Sequence, residues 1–466
     1  MIVVELKRLV EKAAEITDRH DEVKPGSLFF AVKGTRHDGH SFVPEAVKRG
    51  AFAVVAERPV PAKVPVLLVD DARRAYAEAC HYFYGEPSLK LELYGVTGTN
   101  GKSTVTHMLE SILNAAGVPT ALTGTLYYRF NGRVLGRGQT TPGPKDWHRL
   151  LKEFLRLGAK AVVSEVSSHA LEQHRVYPSR FKAVAFTNLT RDHLDYHGDM
   201  ESYYRAKRRL FTEYEYELAI VNADDPYGRR LLKELKNRPV LSYGKEGEVK
   251  IEEVETGPGG TRVVLSFRGK RYAFELPLTG EFQAYNAAAA AGVALALGID
   301  EEAVKEGLAR VRVPGRMEVV LREPFLVVVD YAHTPDAVER VLRSLKKSVR
   351  GRVVAVFGAG GNRDREKRPL MGAAADRWSD LIVLTSDNPR DEDPLEIIKQ
   401  IKEGIKKTPC LVEPDRRKAI RLALELAREG DAVAVLGKGH EDYQEVKGVK
   451  YPFNDAQVVK EELPAF

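Results

Sequence analysis

The chain runs to 466 residues, 43% hydrophobic and 30% charged, with a formal net charge of +6. This excludes a disordered or fibrous protein, and the length suits about three domains rather than one. The mild positive charge is spread along the chain, so it does not call for nucleic acid and instead suits an anionic small-molecule substrate.

Two cysteines, Cys80 and Cys410, lie far apart, and no Cys/His cluster has zinc-ligand spacing, so neither a disulfide framework nor a zinc site is expected. Met1 leads into an amphipathic, mixed-charge stretch (Val4, Leu6, Leu9, Val10) rather than a signal-peptide pattern. No apolar run is long enough to span a bilayer. The expectation is a cytoplasmic protein without membrane insertion.

Residues 1–90 read as a small α/β unit. Residues 27–32, 51–56 and 64–69 are β-type runs, and residues 42–48 form a helical connector. The polar loop 34–40 carries Thr35, Arg36 and His37, more hydrogen-bonding groups than a turn requires.

A buried strand over 91–96 then runs into Thr97-Gly98-Thr99-Asn100-Gly101-Lys102-Ser103-Thr104. Val105, Met108, Leu109, Ile112 and Leu113 follow at helical spacing. Strand, glycine loop, Lys-Ser and helix make a phosphate-binding loop. Its glycines let backbone N–H groups close on phosphate oxygens, at a helix N-terminus of positive potential. Lys102 is placed to reach the β/γ-phosphates and Ser103 to offer a hydroxyl to Mg²⁺, although Val96 stands where the usual spacing has glycine.

Further strands are expected over 159–166, 183–189 and 218–222, each ending in polar residues that a parallel sheet gathers at one edge. Glu165 ends such a buried run, so a cation is expected beside it, either Mg²⁺ or a Lys or Arg partner. The span from Asn188 to His197 holds Asp192, His193, Asp195 and His197, a density that favours metal or phosphate contact. The Asn222-Ala223-Asp224-Asp225-Pro226 turn reads as a helix cap. Residues 250–278 suggest an antiparallel patch, and the alanine-rich 284–297 a helix packed closely on its neighbours.

After a hinge-like Val313-Pro314-Gly315-Arg316, strands are expected over 325–330, 352–357, 380–385 and 431–436, a second doubly wound unit. Their polar ends bring Asp330, Arg363, Asp387, Asn388, Arg390, Gly437 and Glu441 to one sheet edge. Arg363 and Arg390 suit a carboxylate and Glu441 an ammonium, as a zwitterionic ligand requires.

The motifs together, in this order and over essentially the whole chain, resemble the Mur ligases, the ATP-dependent amide-forming enzymes of peptidoglycan synthesis. They are Thr97 to Ser103, Glu165-Val166-Ser167-Ser168, Asn188-x-Thr190-x-Asp192-His193, Asn222-Ala223-Asp224-Asp225, Tyr285-Asn286, Pro314-Gly315-Arg316 and Asp330-Tyr331-Ala332-His333. The resemblance implies an α/β protein of three domains. These are a UDP-muramoyl-substrate-binding domain over 1–90, a central P-loop ATP-binding domain with a parallel sheet over 91–313, and a Rossmann-like amino-acid-binding domain over 314–466. Glu165 to Arg175 and Asp387-Asn388-Pro389-Arg390 are similar to the member that adds the third peptide residue, with the latter motif pointing to meso-diaminopimelate over L-lysine.

The resemblance also implies the chemistry. ATP phosphorylates a D-glutamate carboxylate, and the incoming amine displaces phosphate, with Lys102 and two Mg²⁺ drawing the anions together. Ser103, Glu165, His193 and Lys207 match the metal and catalytic positions, Lys207 as a carbamate. Gly98, Thr99, Asn100, Gly101, Lys102, Ser103, Thr104, Asn286, Arg316 and Asp330 match nucleotide contacts. Thr35, Arg36, His37, Thr140, Thr141, Ser167, Gln173 and Arg175 match contacts to the UDP-muramoyl dipeptide. Arg363, Asp387, Asn388, Arg390, Gly437 and Glu441 match the amino-acid pocket. The partners implied are these small molecules alone, with the chain acting as a monomer. Arg19-His20-Asp21 departs from the family's Asp-Ser-Arg, and Gln139 replaces an asparagine. A sister ligase taking lysine or a folate-like substrate, or a P-loop switch without ligase activity, are the alternatives.

Overall fold

The structure, a computed structural model, describes residues 1–463. The chain gathers into two compact units. The first comprises residues 1–97, 118–184 and 205–219; the second comprises 98–117, 185–204 and the chain from 220 onward. Among the described residues no helix is long and apolar enough to cross a membrane.

The first unit opens with a four-stranded parallel sheet: Glu15–Thr17, Ser27–Phe30, Ala53–Ala56 and Val66–Leu68, in that order. Successive side chains of a strand face opposite ways. Leu28 and Phe30 therefore pack with Leu6, Val10, Tyr76 and Cys80 of helices Ile2–Lys12 and Ala72–Phe83. Phe29 and Val54 pack on the opposite face with Val43 and Ala46 of helix Val43–Lys48. The short first strand and helix Ala72–Phe83 lie outside the sequence expectation. The helix buries four alanines with Tyr76, Cys80 and His81, so small residues dilute its apolar stripe, and Asp71 starts it by accepting from Arg74 N.

Farther along the same unit, strand Glu92–Thr97 pairs in parallel with Ala161–Glu165, which pairs in parallel with Thr120–Thr123. Strands Tyr128–Phe130 and Arg133–Gly136 add antiparallel to that side. Thr97, Thr123 and Glu165 thus end at one sheet edge. The division passes through strands Phe181–Phe186 and Tyr216–Asn222, which belong partly to each unit.

In the second unit, strands Val249–Gly257, Gly260–Phe267 and Lys270–Leu276 form the expected antiparallel meander. The alanine-rich helix spans Gln283–Ala296 and is buried along most of its length. Helices Lys102–Ala115 and Glu301–Arg310 approach closely where Gly307 faces Ile112. A Cβ there would collide with the Ile112 backbone, and Ser111 Oγ donates to Gly307 O at 2.6 Å.

The C-terminal sheet has the order Glu318–Leu321, Leu326–Asp330, Ala432–Leu436, Val353–Phe357, Leu381–Leu384, Cys410–Val412. It is parallel apart from the first strand. Helices Pro335–Ser348, Lys367–Trp378 and Pro394–Lys402 supply Leu342, Met371 and Ile401 to the core on one face. Helices Arg416–Leu426 and Asp455–Glu462 supply Ile420 and Val459 to the other. The chain leaves along one face and returns on the other, so strand Ala432–Leu436 inserts between earlier strands. Such a reversal opens a crevice at the carboxyl ends of the strands. The stretch read as a hinge is a hydrogen-bonded turn, with Arg316 N on Val313 O at 3.2 Å and Gly315 N on Glu318 Oε2 at 2.8 Å.

Candidate active site

The phosphate loop is shaped by its glycines. Gly98 and Gly101 have φ of +145° and +91°. A Cβ on Gly98 would collide with Thr187 Oγ1, and one on Gly101 would lie 2.6 Å from Asn286 Oδ1. Lys102 begins helix Lys102–Ala115, and its Nζ folds back to donate to Gly98 O at 2.7 Å and Thr99 O at 3.0 Å. Ser103 and Thr104 are buried in the first turn.

A second segment braces this loop. Asn188 O accepts from Thr99 N at 2.8 Å, Asn188 Oδ1 from Asn100 N at 2.9 Å, and Asn188 Nδ2 donates to Asn100 O at 3.1 Å. Thr99 Oγ1 accepts from Thr190 N at 3.0 Å and lies 3.1 Å from the Tyr203 hydroxyl. Asn188, Thr190 and Tyr203 were not among the expected site residues, although Asn188-x-Thr190 is part of the motif that suggested a functional span. Asp192 and His193 pair at 3.3 Å. Burial works to raise the Asp192 pKa, but the charges of His193, His333, Lys367 and Lys102 outweigh it and hold the carboxyl below its ordinary range.

The same unit brings residues of the C-terminal sheet to the loop. Asn100 Nδ2 donates to Asp336 Oδ2 at 3.2 Å, and Arg316 Nη2 to Ser103 Oγ at 3.4 Å. The Arg316 guanidinium lies over the Tyr331 ring at 4.6 Å. Asp330 is buried and accepts from Met317 N at 2.8 Å and Ala332 N at 2.7 Å; burial pushes its pKa up. Asn286 Nδ2 donates to Gln283 Oε1 at 3.0 Å.

At the edge of that sheet, Lys438 is fully buried. Its Nζ donates to Asn388 Oδ1 at 2.8 Å and sits 3.6 Å from Glu441 and 4.0 Å from Asp387. Gly437 lies so close to Asp387 that a Cβ would strike Oδ2. Burial pushes the Glu441 carboxyl up. Arg390 Nε donates to Glu445 Oε2 at 3.1 Å and Nη1 to Gly361 O at 2.9 Å. Asp387, Asn388, Arg390, Gly437 and Glu441 are thus together, and Arg363, exposed and without an ion pair among the described residues, stands with Arg390 beside Gly360. Lys438 follows Gly437 in the sequence but was not itself among the expected site residues, and nothing in the sequence marked Glu445.

In the first unit, Glu165 is 1% exposed. Its Oε2 accepts from Thr125 N at 2.7 Å and its Oε1 from Thr125 Oγ1 at 3.2 Å. Gly124 leaves room for this carboxylate, because a Cβ there would displace Glu165 Oε2. Thr125 Oγ1 lies 3.1 Å from Thr140 Oγ1. Thr141 Oγ1 donates to Glu165 O at 2.9 Å and accepts from Ser167 N at 3.1 Å. Arg175 donates to Thr141 O at 3.1 Å and, through Nη2, to Gln173 Oε1 at 3.0 Å. Thr140, Thr141, Glu165, Ser167, Gln173 and Arg175 therefore form one cluster, to which Thr125 is an unanticipated addition. Lys207, on helix Met200–Thr212, is 1% exposed.

Thr35, Arg36 and His37 sit exposed on a loop closed by the Lys33–Asp38 bridge. Asp38 anchors that loop, with Arg58 first and His40 next holding its pKa well below the usual carboxylate range. Arg19 and Asp21 pair with each other at 2.9 Å, and His20 stacks on Phe42 at 4.0 Å between ring centroids. Asp225 caps helix Pro226–Glu234, as expected of that turn.

Three stretches of the chain match Mur ligase domains: residues 21–84 the Mur ligase family catalytic domain, 96–294 the middle domain, and 315–439 the glutamate ligase domain. A curated relative from Aquifex aeolicus, UDP-N-acetylmuramoyl-L-alanyl-D-glutamate--2,6-diaminopimelate ligase, is 56% identical over 464 residues, 99% of this chain and 96% of the relative. The chain belongs to the Mur ligase family. A relative of the same name from Geobacter metallireducens is 44% identical over 94% of this Mur ligase and 91% of its own length. A solved structure of a ligase of that name superposes with a TM-score of 0.72 at 33% identity, covering 97% of this chain and 94% of that one. The Mur ligase fold extends to a Thermotoga maritima MurF solved with ADP, with a TM-score of 0.63 at 22% identity and 97% coverage of each chain.

Proposed function

We propose that this Mur ligase adds meso-diaminopimelate to UDP-N-acetylmuramoyl-L-alanyl-D-glutamate with cleavage of ATP to ADP and phosphate. The observation that carries the reading is the placement of the phosphate loop and the charged C-terminal pocket in one compact unit, joined by the Asn100–Asp336 and Arg316–Ser103 contacts. A triphosphate and an amine can then be served by the same unit. The relatives named above, 56% and 44% identical, bear the name of this activity.

A carboxylate is a poor acyl donor, so it must first acquire a leaving group. An oxygen of the D-glutamate carboxylate attacks the γ-phosphorus and ADP leaves. The amine nitrogen then attacks the acyl carbon, phosphate departs with the C–O bond electrons, and the nitrogen loses a proton. Lys102 and the backbone N–H groups from Gly98 to Thr104 hold the phosphates. Asn286, Arg316 and Asp330 hold the rest of the nucleotide. Thr35, Arg36, His37, Thr140, Thr141, Ser167, Gln173 and Arg175 bind the UDP-muramoyl dipeptide. Arg363, Asp387, Asn388, Arg390, Gly437 and Glu441 receive the amino acid, with a cation for the extra carboxylate of diaminopimelate.

We assign Mg²⁺ to Ser103, Glu165, His193 and Lys207. Among the described residues no group of three or more His, Cys, Asp or Glu gathers with metal-holding spacing. Mg²⁺ usually keeps several waters and takes phosphate oxygens beside one or two protein ligands, so these residues would supply only part of its shell. When bound, it neutralises charge on the phosphoryl group during transfer. We assign Lys207, which is 1% exposed, the role of a carbamate, an oxygen donor. The division of labour follows residues 1–90, 91–313 and 314–466, and the chain works as a cytoplasmic monomer.

The test is ADP formation with the UDP-muramoyl dipeptide and either meso-diaminopimelate or L-lysine. Turnover that requires both the dipeptide and diaminopimelate is expected. Release of ADP without either substrate would assign the chain to a nucleotide switch, and a preference for lysine would overturn the specificity.

A further inference from the structure

The amino-acid pocket rests on a hairpin, strands Tyr443–Val446 and Val449–Pro452, that no motif marks. The hairpin is tied to the loop bearing Asp387 to Arg390. Arg390 N donates to Glu445 O at 3.1 Å, and Lys447 N donates to Arg390 O at 2.9 Å. Gln444 Nε2 donates to Asp387 O at 2.7 Å, and Glu445 N to Asn388 Oδ1 at 2.9 Å. Arg390 itself is held at a φ of +51°, a left-handed conformation unusual for a side chain of its size.

On this frame the Glu445 carboxylate accepts from Arg390 Nε at 3.1 Å, while Arg390 Nη1 donates to Gly361 O at 2.9 Å. Two of the three guanidinium nitrogens are thereby fixed. Nη2 has no hydrogen-bond partner among the described residues. The pair is neither fully buried nor free in solvent, with side-chain exposures of 20% for Arg390 and 25% for Glu445. Because the guanidinium is planar, anchoring two nitrogens sets the orientation of the third.

We infer that Glu445 is a positioning residue for the incoming amino acid: it orients Arg390 so that Nη2 is presented to a substrate carboxylate. The inference rests on the function proposed above. Two effects of removing Glu445 oppose one another. Losing its negative charge strengthens the pocket's pull on a carboxylate, and losing its hydrogen bond lets the guanidinium wander. Because Arg390 is pinned at both Nε and Nη1 in this arrangement, the loss of preorganisation dominates.

The experiment compares wild type, Glu445→Ala, Glu445→Gln, Arg390→Ala and the double alanine variant, with dipeptide and ATP saturating and meso-diaminopimelate varied. Glu445→Ala is expected to raise KM for diaminopimelate about ten-fold, with kcat within about two-fold and KM for ATP unchanged. Glu445→Gln, which keeps an acceptor for Nε, recovers most of the loss. In the Arg390→Ala background, Glu445→Ala adds nothing, because it acts through Arg390. An unchanged or lowered KM in Glu445→Ala, or an equal loss in both backgrounds, overturns the inference alone. A wild-type chain that forms no ADP with meso-diaminopimelate overturns the proposed function and this inference with it.

Discussion

Arg416 and Asp455 form an ion pair in which both side chains are 0% exposed, and its removal tests how the C-terminal pocket is supported. Arg416 Nε and Nη2 donate to Asp455 Oδ1 and Oδ2 at 2.8 and 2.7 Å, a bidentate pair. Its remaining donors reach Ser386 O and Leu436 O, both at 3.0 Å. Those carbonyls immediately precede Asp387 and Gly437, so one guanidinium ties together the two loops that line the pocket. Asp455→Ala would leave that cation buried without its counter-charge, at a cost of about 3–5 kcal/mol. Asp455→Asn keeps the shape and one acceptor, so the loss is smaller, about 2 kcal/mol. Replacing both partners, Arg416→Met with Asp455→Leu, restores only part of the stability: no unpaired charge remains, but the Ser386 and Leu436 carbonyls lose their donor. The chain has two tryptophans, one of them Trp378, which packs on the C-terminal core. Urea unfolding followed by Trp378 fluorescence in a Trp147→Phe background therefore reports on this sheet. A loss below about 1 kcal/mol for Asp455→Ala would refute the claim that the pair is desolvated and mutually dependent.

Other outcomes follow from the same geometry. Arg390→Ala is expected to weaken diaminopimelate use at least ten-fold, roughly 1.4 kcal/mol, with ATP affinity little changed; unchanged diaminopimelate kinetics would remove Arg390 from specificity. Lys207→Ala should abolish turnover, and added short carboxylates should partly restore it, whereas full activity in the alanine variant would exclude Lys207 from the site. His148 is wholly buried beside His81, with Nε2 3.0 Å from Tyr177 O, and burial lowers its pKa from an ordinary 6.5 to about 3. The unfolded chain takes up that proton first, so the stabilisation is intact above about pH 6.5 and is lost as pH falls toward 3. Between pH 5 and 6, about 1.4 kcal/mol per pH unit of slope should vanish in His148→Met, and parallel profiles for the two proteins would sink the assignment.

How much of this was legible in the sequence varies from element to element. The helix Gln283–Ala296 and the meander from Val249 to Leu276 were readable because propensity and turn chemistry are local. The hairpin at 443–452 was not: its first strand is half-buried and its second exposed, so neither carries an apolar alternation, and only its turn at Lys447-Gly448 is distinctive. For Glu165, a buried carboxylate called for a cation beside it, and burial is nearly complete. That Thr125, 40 residues away, supplies both an N–H and a hydroxyl was invisible, since a threonine in the bend after a strand is unremarkable by itself.

The order of chemical groups along the chain was sufficient to define a phosphate loop and an α/β architecture. Glycine spacing and apolar runs act over a few residues, and nothing distant can make a bulkier residue fit at Gly98 or Gly101. What folding alone decided is the company each group keeps. Asn188 and Thr190 lock a loop about ninety positions earlier in the chain, Lys438 is enclosed between two carboxylates, and Arg390 is aimed by Glu445. Such pairings depend on where strands end in three dimensions, and no periodicity in the chain encodes that distance.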